Sequence, residues 1–287
     1  MRLLFFFIVL STASFGTKAA DAVPACPADA GLRDGWNTQA PPQKIFGNTY
    51  YVGTCGISSI LIVGRQGAVL IDGATEKAPL LIEANIRALG FDPGQIKFIL
   101  NTHEHSDHAG GLARLQHDTG APVLARAPAA ATLRRGASDR SDPQFEQLER
   151  YTPVANVRVL NEGQTLQLGD LKLIAHATPG HAPGGTSWTW RSCEGTRCVT
   201  IAYADSLSAL SDKHYRYLDH PEYVAAFRRS FDTVASLPCD ILLTPHPLAS
   251  DQPARLAGKA PLIDANACRR YSDQARANFE QRLQEEK

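Results

Sequence analysis

The run HEHSDH at positions 103–108 constrains this chain of 287 residues more than any other feature. It places three histidines and one aspartate within six positions, whereas the whole chain has nine histidines. Imidazole nitrogen and carboxylate oxygen are ligands that Zn²⁺ accepts at about 2.0–2.2 Å. In an extended or turning segment His103 and His105 point to one side, while Asp107 and His108 follow the bend. The run therefore favours a metal site over the alternatives, a solvated polar loop or histidines that cap a following helix.

Two further histidines each follow a predicted strand. His181 lies in the sequence TPGHAPGG at positions 178–185, and His246 lies in TPHP at positions 244–247. A single histidine at a strand end is more often structural than a metal ligand. Here each histidine directly follows a proline or glycine in an otherwise featureless loop, which favours both as further ligands.

Short segments rich in β-branched and aromatic residues predict two groups of strands, each followed by helices. The first group comprises strands at residues 49–54, 58–63, 68–72 and 96–100, with helices at 76–89 and 109–117. The second comprises strands at residues 157–160, 165–168, 171–175, 187–190, 199–203 and 240–244, with helices at 223–237 and 260–285. The weakly patterned stretch 127–153 is expected to be a mobile or substrate-facing loop. This order predicts an α/β fold with two packed sheets and helices outside.

The N-terminus has the layout of a secretory signal peptide. A positive start precedes the apolar block LLFFFIVL at residues 3–10, and small and polar residues follow. We expect residues 1–19 to be the signal peptide, with cleavage somewhere between positions 19 and 22, and residues 20–287 to form a single domain. The alternative is a buried N-terminal strand. No later apolar run reaches the roughly 18–20 residues of a membrane span.

Export affects how the six cysteines are interpreted. All of them, at positions 26, 55, 193, 198, 239 and 268, lie after the predicted signal peptide. An even number in an exported chain favours disulfides. A zinc site is the alternative, although no C-x-x-C spacing occurs. Cys193 and Cys198 flank a turn-like insert and are the most natural local pair.

Composition excludes two classes of protein. The 29 Lys+Arg balance the 29 Asp+Glu, so the chain does not bind nucleic acid through bulk positive charge. With 44% hydrophobic and 20% charged residues, the chain also has enough apolar material to avoid general disorder.

The order of these motifs resembles the metallo-β-lactamase superfamily. The run HxHxDH, the TPGH loop, the segment ADSLS at positions 204–208 and the TPH loop follow one another as in that family. More narrowly they resemble the di-zinc β-lactamases of the third class B subclass, from about residue 47 to the C-terminus. The resemblance implies an αβ/βα sandwich of two mixed sheets, with helices on the outer faces and the metals between the sheets at one edge.

The resemblance also implies a set of site residues. A first zinc is expected to bind His103, His105 and His181, and a second to bind Asp107, His108 and His246. Asp107, Ser206 and Ser208 are expected to act in catalysis: Asp107 orients the attacking water, and the two serines contact the substrate carboxylate.

Four other positions are interpreted through the same resemblance. Asp205 is either a bridging metal ligand or, as in the resembled subclass, structural. Asp72 matches a carboxylate that orients a metal ligand through hydrogen bonds. Phe145 is a candidate substrate contact, and Glu104 receives no role. The cysteines resemble a disulfide-rich branch, which implies the pairs Cys26–Cys55, Cys193–Cys198 and Cys239–Cys268.

The function implied is zinc-dependent hydrolysis of the β-lactam amide bond of penicillins, cephalosporins and carbapenems, which confers antibiotic resistance. We expect two Zn²⁺ per chain, a periplasmic location, a small-molecule β-lactam as the partner, no nucleic-acid or membrane partner, and a monomer. The motifs SxxK, KTG and GxSxG are absent, so a serine nucleophile is not expected. The alternatives are a lactonase or thioesterase with the same metals, or an exported zinc-binding protein without catalysis.

Overall fold

The computed structural model describes residues 25–27 and 35–287, so the predicted signal peptide lies outside the described residues. The strands are β1 Gln43–Phe46, β2 Thr49–Tyr51, β3 Ile60–Gly64, β4 Gly67–Ile71, β5 Ile96–Leu100, β6 Val123–Arg126, β7 Val157–Leu160, β8 Thr165–Leu168, β9 Leu171–Ala177, β10 Thr186–Glu194, β11 Arg197–Tyr203 and β12 Ile241–Leu243. The helices are α1 Pro79–Ala88, α2 Ser106–Ala109, α3 Leu112–Thr119, α4 Ala127–Arg135, α5 Pro221–Ser236, α6 Gln252–Leu256 and α7 Ala267–Glu285.

The strands form two mixed sheets, each built from one continuous stretch of chain. The seven-stranded sheet runs β1-β2-β3-β4-β5-β6-β7, antiparallel from β1 to β4 and parallel from β4 to β7. The five-stranded sheet runs β12-β11-β10-β9-β8, with β12 parallel to β11 and the other pairs antiparallel. Helices flank these sheets, which confirms the predicted αβ/βα sandwich.

The alternation of side chains along β3 and β4 explains why both faces of the first sheet are covered. Ile60 and Ile62 are buried in the layer between the sheets, where they share one core with Trp188 and Trp190 of β10. Leu61, between them in sequence, packs instead in the core beneath α1 and α3. At about 1.5–3 kcal/mol for each fully buried side chain, both faces contribute to stability.

A third core lies between the second sheet and the last long helices. Phe227 and Phe231 of α5 pack with Phe279 of α7, and all three are fully buried. The disulfide Cys239–Cys268 joins the residues just before β12 to the first turn of α7. The pairs Cys26–Cys55 and Cys193–Cys198 also form, so the three implied disulfides are confirmed.

The structure corrects several predicted elements. Residues 127–153 are not a single loop, because α4 occupies their first nine residues and buries Ala129, Ala130 and Leu133. Strands β1 and β6 were not predicted. The expected helix at 109–117 is two helices, α2 and α3, separated where Gly111 lies against the backbone; a Cβ at Gly111 would be 2.2 Å from the Gly73 carbonyl oxygen. The last helix begins at Ala267 rather than at position 260.

Among the helices of residues 25–27 and 35–287, none is both long enough and apolar enough to cross a bilayer.

Candidate metal centre

The residues predicted as metal ligands gather at one edge of the sandwich, each supplied by a segment that follows a strand. His103 and His105 come directly after β5, and Asp107 and His108 lie in the short helix α2. His105 is in an extended conformation at the N-terminal cap of α2, and its carbonyl oxygen accepts from the His108 amide at 3.0 Å. This turn bends the chain, so one short run supplies ligands to two neighbouring positions.

The second sheet supplies the remaining two predicted ligands. His181 lies in the loop between β9 and β10, and His246 lies three residues after β12. The His181 loop is held against α5, since a Cβ on Gly180 would be 2.0 Å from the Phe227 ring and the φ of this residue is +151°. Only glycine allows so close an approach.

The first ligand set consists of His103, His105 and His181. One ring nitrogen of each lies within 4.8 Å of those of the others, and all three side chains are buried. Burial lowers the pKa of both His103 and His181 well below the usual value for histidine. Their rings are therefore neutral at pH 7, which is the form that coordinates a metal.

Buried carboxylates fix the orientation of two of these rings. Asp205 Oδ1 is 2.8 Å from His103 Nδ1, and Asp142 Oδ2 is 2.9 Å from His105 Nε2. These contacts leave His103 Nε2 and His105 Nδ1 as the atoms available to a metal. Within the described part of the chain, His103 Nε2 is buried without a hydrogen-bond partner, which leaves its lone pair free to bind a metal ion. Burial alone lowers the pKa of His105, but the charge of Asp142 outweighs this effect, and the net pKa of His105 is about 9.

His181 is oriented by a serine rather than by a carboxylate. Its Nδ1 is 2.9 Å from Ser208 Oγ and 3.0 Å from the Ser208 carbonyl oxygen. Ser208 therefore contacts a predicted ligand as well as lying beside the cavity described below. Sequence reasoning expected only the substrate contact.

The second ligand set has a spacing that suits one tetrahedral ion. Asp107 Oδ2 is 3.2 Å from His108 Nε2 and 3.4 Å from His246 Nε2, and the two histidine nitrogens are 3.3 Å apart. Donor atoms at about 2.0–2.1 Å from a tetrahedral zinc are about 3.3–3.4 Å from one another. Burial raises the pKa of Asp107, but the neighbouring His108 and His246 outweigh it and lower the pKa well below the usual range. Asp107 is therefore an anion.

Asp205 and Asp72 differ in what they contact. Asp205 hydrogen bonds to the ring of His103, which is the structural alternative considered for it, and burial raises its pKa to about 7. Asp72 forms no hydrogen bond with a predicted ligand among the described residues, although its charge raises the pKa of His108. Its oxygens accept from the Thr102 amide at 2.8 Å, the Thr102 hydroxyl at 2.7 Å and the Tyr203 hydroxyl at 3.0 Å. Asp72 thus fixes the backbone just before His103.

Three residues near the site were either not predicted from the sequence or were given no role there. Glu104 is buried, accepts from the Gly184 amide at 2.8 Å, and has its pKa raised to about 7 by burial. Asp142 lies in the stretch interpreted as a loop. Tyr271 of α7 donates its hydroxyl to the Asp205 carbonyl oxygen at 3.1 Å and accepts from the Leu207 amide at 3.2 Å. No local sequence pattern marks these contacts.

A cavity of about 730 Å³ adjoins the second ligand set. Ser206, Ser208 and His246 form part of its wall, and α7 forms another part. Phe145, the candidate substrate contact, does not line this cavity. Its ring lies under the guanidinium of Arg140, with 4.7 Å between Cζ and the ring centroid.

Comparison with known proteins identifies the family to which this chain is similar. The profile described as "Metallo-beta-lactamase superfamily" matches residues 52–246. A crystal structure of the metallo-β-lactamase MIM-1 from Novosphingobium pentaromativorans is 48% identical, covers 92% of this chain and 97% of its own, and superposes with a TM-score of 0.88. MEM-A1, described as a subclass B3 metallo-beta-lactamase isolated from a soil metagenome library, is 43% identical over 88% of this chain and 98% of its own, with a TM-score of 0.85.

Curated relatives with other activities match over shorter stretches. A hydroxyacylglutathione hydrolase of Anaeromyxobacter dehalogenans is 32% identical over 130 residues, which is 45% of this chain and 40% of that protein. The N-acyl homoserine lactonase AttM of Agrobacterium fabrum is 33% identical over 112 residues, or 37% of this chain and 40% of the lactonase. The chain thus spans less than half the length of these two relatives.

Proposed function

This chain belongs to the metallo-β-lactamase superfamily, and on that premise we propose that it is a zinc-dependent β-lactamase. It hydrolyses the β-lactam amide bond of penicillins, cephalosporins and carbapenems. The observation that carries the proposal is the pair of adjoining donor sets, one of three histidines and one of Asp107, His108 and His246. The likeness to solved subclass B3 enzymes over nearly the whole described chain supports the choice of substrate.

The two donor sets suit two zinc ions. His103, His105 and His181 would hold the first, and Asp107, His108 and His246 would hold the second. Each set has three protein ligands, which leaves a position for water or substrate, as in catalytic rather than structural zinc sites. When bound, zinc lowers the pKa of a coordinated water to about 7 and polarises a carbonyl group.

The chain's own residues orient the reactants. The Asp107 carboxylate, anionic at pH 7, can accept a hydrogen bond from the attacking water and fix its direction. The hydroxyls of Ser206 and Ser208 lie at the cavity, where they can donate to the carboxylate that these antibiotics share. Asp205, Asp142 and Ser208 hold the three histidine rings in fixed orientations. No covalent intermediate with the protein is required.

A lactonase or thioesterase is the second candidate, because the curated relatives include both kinds of hydrolase. Those matches cover well under half of this chain, whereas the β-lactamase structures cover about nine-tenths of it. The β-lactamase activity is therefore the better supported of the two. We further propose export to the periplasm, which the N-terminal sequence and the three disulfides support. We also propose that the protein is a monomer.

The test compares three substrates on one zinc-loaded preparation: nitrocefin, a glutathione thioester and an acyl homoserine lactone. We expect hydrolysis of nitrocefin to dominate, to stop after treatment with a chelator, and to return with zinc. His181→Ala should abolish it. His117→Ala is the matched control, because His117 is an exposed histidine of α3 outside the site. Efficient turnover of the thioester or the lactone with nitrocefin untouched would contradict the proposal.

A further inference from the structure

The cavity beside the second ligand set extends well beyond the residues assigned to the reaction. It begins at Ser206, Ser208 and His246 and continues to the side chains of α7, including Tyr271 and Asn278. Its volume of about 730 Å³ lies within the range of small-molecule sites, about 300–1,000 Å³. Of the predicted ligands only His246 lines this space, together with the two serines, so most of the wall has no role in the proposed reaction.

Two exposed leucines border the cavity. Leu210 is 54% exposed and Leu248 is 56% exposed, and both line it. Leu210 follows the segment that carries Ser206 and Ser208, and Leu248 lies two residues after His246. Exposed single leucines are ordinary on protein surfaces. Although Arg255, Arg270 and Arg282 also line the cavity, Leu210 and Leu248 are the exposed large apolar side chains on its wall among the described residues, and a ligand can cover them.

The chemistry of the proposed substrates indicates which part of them reaches this surface. In penicillins, cephalosporins and carbapenems the carboxylate is carried by the ring fused to the lactam nitrogen. A substrate whose carboxylate lies at Ser206 and Ser208 therefore has this amine-side ring beside the cavity that the two serines line. A substituent on the same ring can then extend into the cavity, while the acyl side chain lies on the other side of the scissile bond.

We propose that Leu210 and Leu248 form a subsite for apolar substituents on the amine-side ring of the substrate. This inference rests on the proposed β-lactamase function. An apolar substituent that covers the two leucines removes apolar surface from water, which favours binding. The subsite therefore discriminates between antibiotics by this substituent and takes no part in bond cleavage.

The test uses two cephalosporins with the same thienylacetamido acyl group. Nitrocefin carries a large dinitrostyryl group on the amine-side ring, and deacetoxycephalothin carries a methyl group there. We expect Leu210→Ala and Leu248→Ala each to raise the KM for nitrocefin about three- to tenfold. This is less than the 10–200-fold seen for fully enclosed apolar contacts, because the leucines are half exposed. The KM for deacetoxycephalothin and the kcat for both substrates should stay within about twofold.

Leu80→Ala is the matched control, since Leu80 is 61% exposed on α1 and does not line the cavity. Equal changes for both substrates, or no change for nitrocefin, would overturn the subsite while leaving the β-lactamase proposal intact. Hydrolysis of neither cephalosporin by the unaltered enzyme would overturn the proposed function, and the subsite with it. If the leucines instead join two copies of the chain, the variants will change the sedimentation coefficient and not the difference between substrates, which also refutes the subsite.

Discussion

Removal of Asp142 should weaken metal binding without removing any metal ligand. Asp142 Oδ2 lies 2.9 Å from His105 Nε2, and both side chains are buried. The substitution Asp142→Ala deletes this contact and leaves the ring of His105 free to turn. His105 keeps its other nitrogen for the metal, but the ring is no longer fixed in the coordinating orientation.

Two independent estimates give the size of the effect. A hydrogen bond to a charged group contributes about 1.5–3 kcal/mol. Loss of a carboxylate that orients a metal-ligating histidine typically weakens metal binding about 10–100-fold. At about 1.4 kcal/mol for each factor of ten, that range corresponds to about 1.4–2.8 kcal/mol. Because the two ranges coincide, we expect Asp142→Ala to weaken zinc binding about 10–100-fold at pH above about 9, where His105 is neutral in both proteins. At lower pH the loss is smaller, because removal of Asp142 also lowers the pKa of His105 and so reduces competition from protons.

The assay is titration of the metal-free protein with zinc against a chromophoric chelator. Asp142→Asn is the rescue variant, since its single amide oxygen can replace Oδ2 and accept from His105 Nε2, at the cost of the hydrogen bond from the Gln144 amide to Oδ1. Its loss of affinity should be smaller. Asp232→Asn is the control for charge, because Asp232 is an exposed carboxylate of α5 paired with Arg276. Wild-type affinity in Asp142→Ala would refute the reasoning.

Three further predictions concern the metals and the reaction. Elemental analysis should find close to two zinc ions per chain, and full activity with a single tightly bound zinc would contradict the two-metal proposal. Asp107→Asn should lower kcat far more than it changes KM, because the carboxylate acts mainly in the transition state; a change in KM alone would make Asp107 a binding residue. Clavulanate should not inactivate the zinc-loaded enzyme, and intact-mass spectrometry during turnover should show no added substrate mass. An accumulating adduct would require a protein nucleophile instead.

The sequence predicts a strand correctly where a run of apolar, β-branched residues lies between two turns. β5, β7 and β8 have the expected bounds, 96–100, 157–160 and 165–168. Helix α4 was missed because its buried face consists mainly of small residues, and Leu133 is the one large apolar side chain in its sequence, APAAATLRR. Its buried alanines pack only because the first sheet lies behind them, and that is a tertiary effect.

The positions of the predicted ligands could be anticipated because most of them come from one short run with unmistakable chemistry. Asp142 and Tyr271 could not, because they reach the site across 37 and 66 residues of sequence. Nothing near either residue in the sequence indicates which partner the fold will bring to it. The carboxylate of Asp72 is buried beside the site as expected, but it acts on the predicted ligand His108 through its charge, and its hydrogen bonds go to residues such as Thr102 and Tyr203.

The construction of each sheet from one uninterrupted stretch of chain means that the protein could be divided in two. Residues 161–164, between β7 and β8, are exposed, so a cut there would leave seven strands on one fragment and five on the other. The first fragment would carry His103, His105, Asp107 and His108, and the second would carry His181 and His246. Neither fragment alone could complete either donor set. Both complete donor sets would then exist only in the reassembled pair. Zinc that binds these complete sets more tightly than it binds the first fragment would by mass action increase the share of protein that is whole.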